Sequence, residues 1–504
     1  MSGSLVKAFL DDITANIDDD APRLIFADWL QEHGHDDRAE FIHVQIERSR
    51  LPAWDAAQVR LRLREQALLD QHGEAWLAEM PALRGVKWEG FRRGIVAEVS
   101  FASYEAMRKH ARACRAEAPV EAVAVPWPER DESRKAAQPI AELRELVLHG
   151  RPFGDELPRL ADSPQLSTLR TLDVLGLDVN DLRRLLASPH LAGLRSLRLV
   201  SNGLGNAGVR ALTEAETLTG LEELDLSGPG YYESYYQDPI ITEDGMSVLA
   251  GWRGLATVRA LNLSGSNPQR GGLRALLASP NAAAMKDLSL RGGRFDGPAM
   301  AAFRDASRQL RLETLDLGEN LLGEAGAECV AAAPCLSELT SLRLDRCEIP
   351  LAGATRLATA RFLAGLRVLD VGHNHFGPAG LQALLDGGIP ALHTLRLRDN
   401  DLFDNGAALL AGSPASDGLL ELDLSNNGLG QSAAEALAEA AHLAGLLVLH
   451  LADNSIPAAA NAALRASALG RRLAVFEIEQ ASRPRPDWPG LFRPRVDEDY
   501  EDDY

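Results

Sequence analysis

Leucines recur along most of this chain at a spacing that no single helix or strand explains. From residue 143 onward the pattern L-x-x-L-x-L-x-x-N-x-L returns every 25 to 27 residues, most clearly as Leu419, Leu422, Leu424, Asn427 and Leu429. The first position of successive copies is filled by Leu143, Leu169, Leu194, Leu221, Val258, Met285, Leu312, Leu339, Leu366, Leu392, Leu419, Leu446 and Leu473. One gap is longer, at 37 residues between Leu221 and Val258. The L-x-L alternation predicts a short strand whose leucines point inward and whose middle residue faces out. Beyond the asparagine, segments such as LGNAGVRAL (Leu204–Leu212) and FGPAGLQALL (Phe376–Leu385) change to helical spacing. Ser-Pro pairs at Ser163–Pro164, Ser188–Pro189, Ser279–Pro280 and Ser413–Pro414 help to end such helices. Strands stack about 4.8 Å apart, whereas packed helices need roughly 8–10 Å between axes. A stack of strand–turn–helix units must therefore curve, with strands inside. Residues 143–479 are expected to form one curved parallel sheet of about thirteen strands with helices outside.

The first 140 residues have another texture. Leu5, Phe9, Ile13 and Ile17 share one face of a helix. Asp20 is placed to cap a second helix, with Pro22 in its first turn and Gly34 as its stop. Further helices are expected over Asp37–Ser49, Trp54–Asp70 and Ala102–Ala116, with strand-like alternation at Val86–Trp88 and Gly94–Ser100. Five of the seven tryptophans, Trp29, Trp54, Trp76, Trp88 and Trp127, lie in this part.

The repeated unit resembles the leucine-rich repeat family, and its helical half resembles the ribonuclease-inhibitor-like subclass. The string DDDAPRLIFADWLQEHGHDDRAEFIHVQIE resembles a repeat-companion domain, a small module found ahead of such repeats in some large-genome bacteria. The residues carrying that resemblance are Asp20, Pro22, Arg23, Ala27, Asp28, Trp29, Leu30, Gly34, Arg38, Glu40, Phe41 and Gln45. Together these resemblances imply an α/β fold: a leucine-rich repeat horseshoe solenoid with a parallel inner sheet and outer helices, and an N-terminal α/β capping domain. They imply a bacterial origin and a binding role, since repeat scaffolds present extended surfaces to other macromolecules. The expected organisation is a companion and capping domain over 1–140, the solenoid over 141–480, and a proline-rich, acidic tail over 481–504. That tail is expected to be disordered.

At the asparagine position stand Asn202, Asn320, Asn374, Asn400, Asn427 and Asn454, with Cys347 in one copy. A buried amide there can satisfy backbone groups of the turning chain. These residues are read as a structural ladder.

Charge narrows the partners. The chain of 504 residues carries a net charge of −20, and its last eight residues hold six acids. A nucleic-acid surface needs clustered cations, so nucleic acid is not an expected partner. No run of 18 uncharged apolar residues is present, and the N-terminus lacks the basic start and apolar core of a signal peptide. The four cysteines, Cys114, Cys329, Cys335 and Cys347, form no C-x-x-C pair. A reduced, cytoplasmic setting without membrane contact is expected.

Candidate binding residues follow from departures from the repeat. The long gap contains GPGYYESYYQDP, which holds Tyr231, Tyr232, Tyr235 and Tyr236. Tyrosines of this kind are typical of contact surfaces. The segment is equally suited to folding back over an irregular repeat. Along the strands, the outward residue alternates as Asp316, Arg343, Asp370, Arg396, Asp423, His450 and Glu477. In register, these neighbours would neutralise one another. Arg291, Arg294, Arg346, His373 and Arg398 are expected to add polar contacts to a protein partner on the concave face or ascending rim. His373 and His375, with Glu348, Asp399 and Asp401 nearby, have the donor types of a zinc site. Nothing in the sequence fixes their geometry, so they are read as polar surface and no metal is assigned. No phosphate loop, zinc-protease or nucleophile-elbow motif is present, and no cofactor is expected. The alternative to a non-enzymatic scaffold is an enzyme whose site lies in residues 1–140. Its candidates are Asp28, Glu40 and Cys114, with the repeats recruiting substrate.

Overall fold

A computed structural model of the protein describes residues 3–127, 143–150, 156–228, 240–307 and 309–477. These fall into two compact units, one comprising the described residues up to 228 together with Ile240, the other those from Ile241 onward.

The first unit opens with four helices, α1 (Gly3–Ala15), α2 (Ala21–Glu32), α3 (Asp36–Arg50) and α4 (Ala57–Ala78). They are followed by β1 (Val86–Arg92), β2 (Ile95–Phe101), α5 (Tyr104–Glu117) and β3 (Ala122–Pro126). Ile13, Phe26, Ala27, Leu30, Ala39, Ile42, Ile46 and Ile95 form a shared core. The fourth helix outruns its expected end at Asp70 because Trp76 anchors it, its ring 5.0 Å from Phe41 and 6.1 Å from Phe91. Asp20 precedes α2 but makes no side-chain cap. Two guanidiniums claim its carboxylate instead, Arg50 at 2.7 Å and Arg93 at 3.3 Å. Arg23, wholly buried, donates to the carbonyls of Ile17 and Asp19 and to Glu121 at 2.9 Å. This network ties the entry of α2 to the residue that leads into β3.

The first strands form a hairpin, Arg92 opposite Ile95, and β2, β3 and the next strand then pair in parallel. β3 was not among the expected strands, although Val123 and Val125 alternate along it. The unit continues with β4 (Glu145–His149), α6 (Glu156–Ala161), β5 (Thr171–Val174), α7 (Val179–Leu186), β6 (Ser196–Arg198), α8 (Gly205–Thr213) and β7 (Glu223–Asp225).

The second unit holds α9 (Glu243–Gly251), β8 (Ala260–Asn262), α10 (Gln269–Ala278), β9 (Asp287–Ser289), α11 (Ala301–Arg304), β10 (Thr314–Asp316), α12 (Gly323–Ala331) and β11 (Ser341–Arg343). It continues with α13 (Leu351–Leu357), β12 (Val368–Asp370), α14 (Gly377–Gly387), β13 (Thr394–Arg396), α15 (Phe403–Gly412), β14 (Glu421–Asp423), α16 (Gln431–Ala438), β15 (Val448–His450), α17 (Ala458–Ala466) and β16 (Val475–Glu477). Each of the thirteen repeat copies contributes one strand, four in the first unit and nine in the second. Strand order follows chain order within each unit.

Register is uniform. Leu288, Leu315, Leu342, Leu369, Leu395, Leu422 and Leu449 stand opposite one another on successive strands. All are at most 2% exposed. Burying a leucine fully is worth about 1.5–3 kcal/mol, so each copy adds a similar increment on its neighbour. The last copy is covered less well: Phe476 replaces the leucine, is half-buried, and has the Arg465 guanidinium 4.7 Å above its ring.

Candidate functional site

In the second unit the strands β9 to β15 end in turns that place residues with side chains in the left-handed region. Glu319, Arg346, His373, Asp399, Asn426 and Asp453, each preceding a ladder position, have φ between 52° and 58°. Arg294, Glu348 and Asp401, each following one, have φ of 54°, 51° and 56°. Such values are uncommon without glycine and persist only where surrounding bonds over-determine them. The asparagines supply those bonds. Asn374, 1% exposed, donates to the carbonyls of Leu344, Val371 and Gly372 at 2.8, 2.9 and 3.1 Å. Its Oδ1 accepts from the amides of Cys347 and Ile349 at 3.2 and 2.9 Å. Asn202, Asn320, Asn400, Asn427 and Asn454 make the corresponding bonds one repeat back. Cys347 keeps only the donor half: its thiol reaches the carbonyls of Leu317 at 3.1 Å and Asp345 at 3.5 Å. Side chains flanking the ladder are thereby turned outward in two rows along the rim.

The concave row is arranged differently from its expected role as a solvent-facing surface. Asp316, Arg343, Asp370, Arg396, Asp423, His450 and Glu477 do lie in register. Yet Asp316, Asp370, Asp423 and His450 are only 7, 6, 1 and 6% exposed. Neighbouring strands bring these groups close enough to cover one another. The aspartates also fold onto their own backbone, accepting from the amides of Gly318, Gly372 and Ser425 at 2.9, 3.0 and 2.9 Å. Arg291 grips Asp345 through two bonds of 2.8 Å and Glu319 through a third of 2.8 Å. Arg343 adds a bond to Asp345 at 2.7 Å. Burial pushes the Asp345 carboxyl up, but the hydrogen bonds from Arg291 and the charges of Arg343 and Arg291 outweigh it and hold it well below the usual range. Asp370 lacks such a grip. Burial, helped by the Asp345 carboxylate, pushes it up to about 6. The row is thus an internally neutralised ladder.

Beside it, the rim opens into a groove of about 430 Å³. Glu319, Arg346, His373 and Asp399 line it from the row before the ladder, and Arg294, Leu321, Glu348 and His375 from the row after, with Asn374 at the base. Glu319 is held by Arg291, and Asp399 by His373 Nδ1 at 2.9 Å. His375 lies 3.5 Å from Asp401. Burial and the nearby Arg346 push the His373 imidazole below its ordinary value, partly offset by Asp399. Leu321 is 56% exposed. Among the described residues, no group of three or more histidine, cysteine or acidic side chains is placed to hold a metal ion.

Of the sequence candidates, Arg294, Arg346 and His373 therefore meet in one groove. Arg291 is turned into the charge ladder beneath, and Arg398 pairs with Asp453 at 3.0 Å. Tyr231, Tyr232, Tyr235 and Tyr236 lie outside the described residues. Sequence reasoning missed Leu321, although an apolar residue just after the ladder asparagine was a usable signal. Among the enzyme candidates, Asp28 is exposed on α2 and Glu40 on α3 is clasped by Arg64 at 2.5 and 2.6 Å. Cys114 on α5 is 1% exposed, and burial pushes its thiol up to about 11, which keeps it protonated at neutral pH.

Parts of the chain match known proteins. Residues 193–212, 366–385 and 419–438 match the family model described as Leucine Rich repeat. The chain is 32% identical over 246 residues to a ribonuclease inhibitor from Sus scrofa. The match takes in 46% of this chain and spans about half, 52%, of that protein's length. An internalin from Listeria monocytogenes aligns at 17% identity and a TM-score of 0.40, covering 75% of this chain and 89% of its own. The Rad7 and Elc1 complex from yeast aligns at 14% identity and a TM-score of 0.41, covering 96% of both chains.

Proposed function

We propose that this leucine-rich repeat protein is a non-enzymatic scaffold that binds a protein partner through the ascending rim of its second unit. One observation carries the reading: the charges of the concave strands are spent on one another, while the rim rows turn a groove holding Arg346, Glu348 and the exposed Leu321 to solvent. Tight interfaces rest on anchors seated in pockets, with complementary contacts around them. The porcine relative is by its name an inhibitor of a ribonuclease, which supports a binding role.

The reading is tested by site-directed photo-crosslinking in extract of the native host. A benzophenone side chain in place of Leu321 should capture a protein. The same group in place of Arg356, exposed on the outer helix α13, should not. Capture from Arg356 alone would place the interface elsewhere, and capture from neither position would remove the rim from the function.

A further inference from the structure

The rim groove has a chemistry of its own, and the following rests on the rim being the binding surface. Its wall acids are mostly committed. Glu319 is bonded to Arg291 at 2.8 Å, and Asp399 to His373 at 2.9 Å. Arg346 is not committed: among the described residues no hydrogen bond or ion pair holds its exposed guanidinium. Its backbone stands in the left-handed conformation, with φ of 54°, where its own amide donates to the Gly372 carbonyl and the next amide, of Cys347, to Asn374 Oδ1. Its charge acts on the groove, since with burial it lowers the proton affinity of His373 even though Asp399 sits against that ring. Leu321 supplies an apolar wall in the same groove. An exposed guanidinium presents a planar fork of donors that matches a carboxylate in two parallel bonds. Glu348, two residues along the chain and also exposed, is the one lining acid with no partner among the described residues. It sets the limit on how much negative charge the groove accepts.

From this geometry we infer that the groove docks a short protein segment carrying one acidic side chain for Arg346 and, within two residues of it, an aliphatic or aromatic side chain for Leu321. The carboxylate takes the place of water on a guanidinium whose backbone is already set, so on this side of the interface binding orders the Arg346 side chain without moving the chain. The apolar neighbour covers Leu321. A segment with several adjacent acids is disfavoured by Glu348.

The test uses the whole chain and a displayed library of random dodecapeptides, followed by anisotropy titration of the selected sequences made with both ends blocked. Blocking the ends separates an acidic side chain from a free C-terminal carboxylate. Enriched peptides should share an acid within two positions of Leu, Ile, Val or Phe. Replacing that acid by its amide should weaken binding at least tenfold, as should Arg346→Gln or Leu321→Asp in the protein. Glu348→Gln should tighten binding about two- to threefold, an effect that a merely structural role would not produce. Thermal melts of all three variants should match that of the unaltered chain. A melt lowered by Leu321→Asp would shift the comparison to Leu321→Ala, where the same loss is expected. Peptides without the acid, no enrichment at all, or undiminished affinity in Arg346→Gln would overturn the inference. Capture from Leu321 in the crosslinking experiment would stand in each of those cases, so the broader binding role fails or survives separately.

Discussion

In the six repeats that carry the ladder asparagine, a single amide does the work of several backbone partners. Asn374 satisfies three carbonyls and two amides from inside the structure. Each buried group left unpaired costs about 1–3 kcal/mol. Asn374→Ala is therefore expected to lower unfolding free energy by at least about 3 kcal/mol, measured by urea denaturation. The converse change is expected at Cys347, which lacks an acceptor oxygen for the preceding turn. Cys347→Asn should stabilise by about 1 kcal/mol in the same assay, and a loss would show that the site has no room for the amide. Asp370 makes a prediction with a definite sign. It faces Asp345, Arg343 and Arg396 and accepts from the Gly372 amide. Its carboxyl is raised from 3.8 to about 6 in the fold. The stability it contributes is therefore full below its unfolded value and is lost as pH rises through about 6. Asp370→Asn keeps the acceptor and removes the charge. The melting temperature of this variant, relative to the unaltered chain, should be more favourable at pH 7.5 than at pH 5. A constant difference across that range would show that Asp370 does not titrate there.

Among the elements, the β1–β2 hairpin shows how a local conformation is fixed by a neighbour. Arg93 and Gly94 both have positive φ, 47° and 81°, as a two-residue turn of the inverse kind requires. A Cβ on Gly94 would lie 2.4 Å from the Ile42 Cα in α3. The Gly94 amide also donates to the Gln45 side chain at 2.6 Å. Gly94→Ala is expected to displace the hairpin from α3, and to cost more than the roughly 1 kcal/mol of an ordinary helix glycine substitution run in reverse. Hydrogen exchange should show β1 and β2 losing protection while β9–β15 keep theirs.

For the molecule as a whole, the ends of the repeat array matter most, because a repeat covers only its neighbours. In the first unit Val123 and Val125 of β3 stand opposite Leu146 and Leu148 of β4, which are 0 and 3% exposed. We propose a capping role for the N-terminal residues on this pairing. A chain starting at residue 143 would bare those leucines and an unpaired strand edge. It should aggregate at concentrations where the full chain stays monodisperse by light scattering, and equal solubility would argue against the role. We also propose the tyrosine segment as a second anchor. Replacing Tyr231, Tyr232, Tyr235 and Tyr236 together by alanine should weaken binding of the captured partner at least about tenfold by calorimetry. The melting temperature should not change, and a collapsed melt would make these tyrosines structural.

Much of this was legible in the residues themselves. A leucine every 25 to 27 positions dictates one strand per copy, its parallel register and its buried face, because period-two alternation leaves only one set of side chains to turn inward. The asparagines announced the ladder for the same reason: a polar amide at a fixed place in an apolar repeat must have backbone to satisfy. What remained hidden depends on distances between copies. Asp316 and Asp370 read as exposed charges, and became buried only when strands one residue in register brought arginines against them. Arg291 and Arg346 look alike in the sequence. Asp345 and Glu319 capture the first, whereas a left-handed backbone turns the second out into the groove. Which cation is spent and which is free to meet a partner is set by neighbours 27 to 54 residues away. Only the folded chain brings them together.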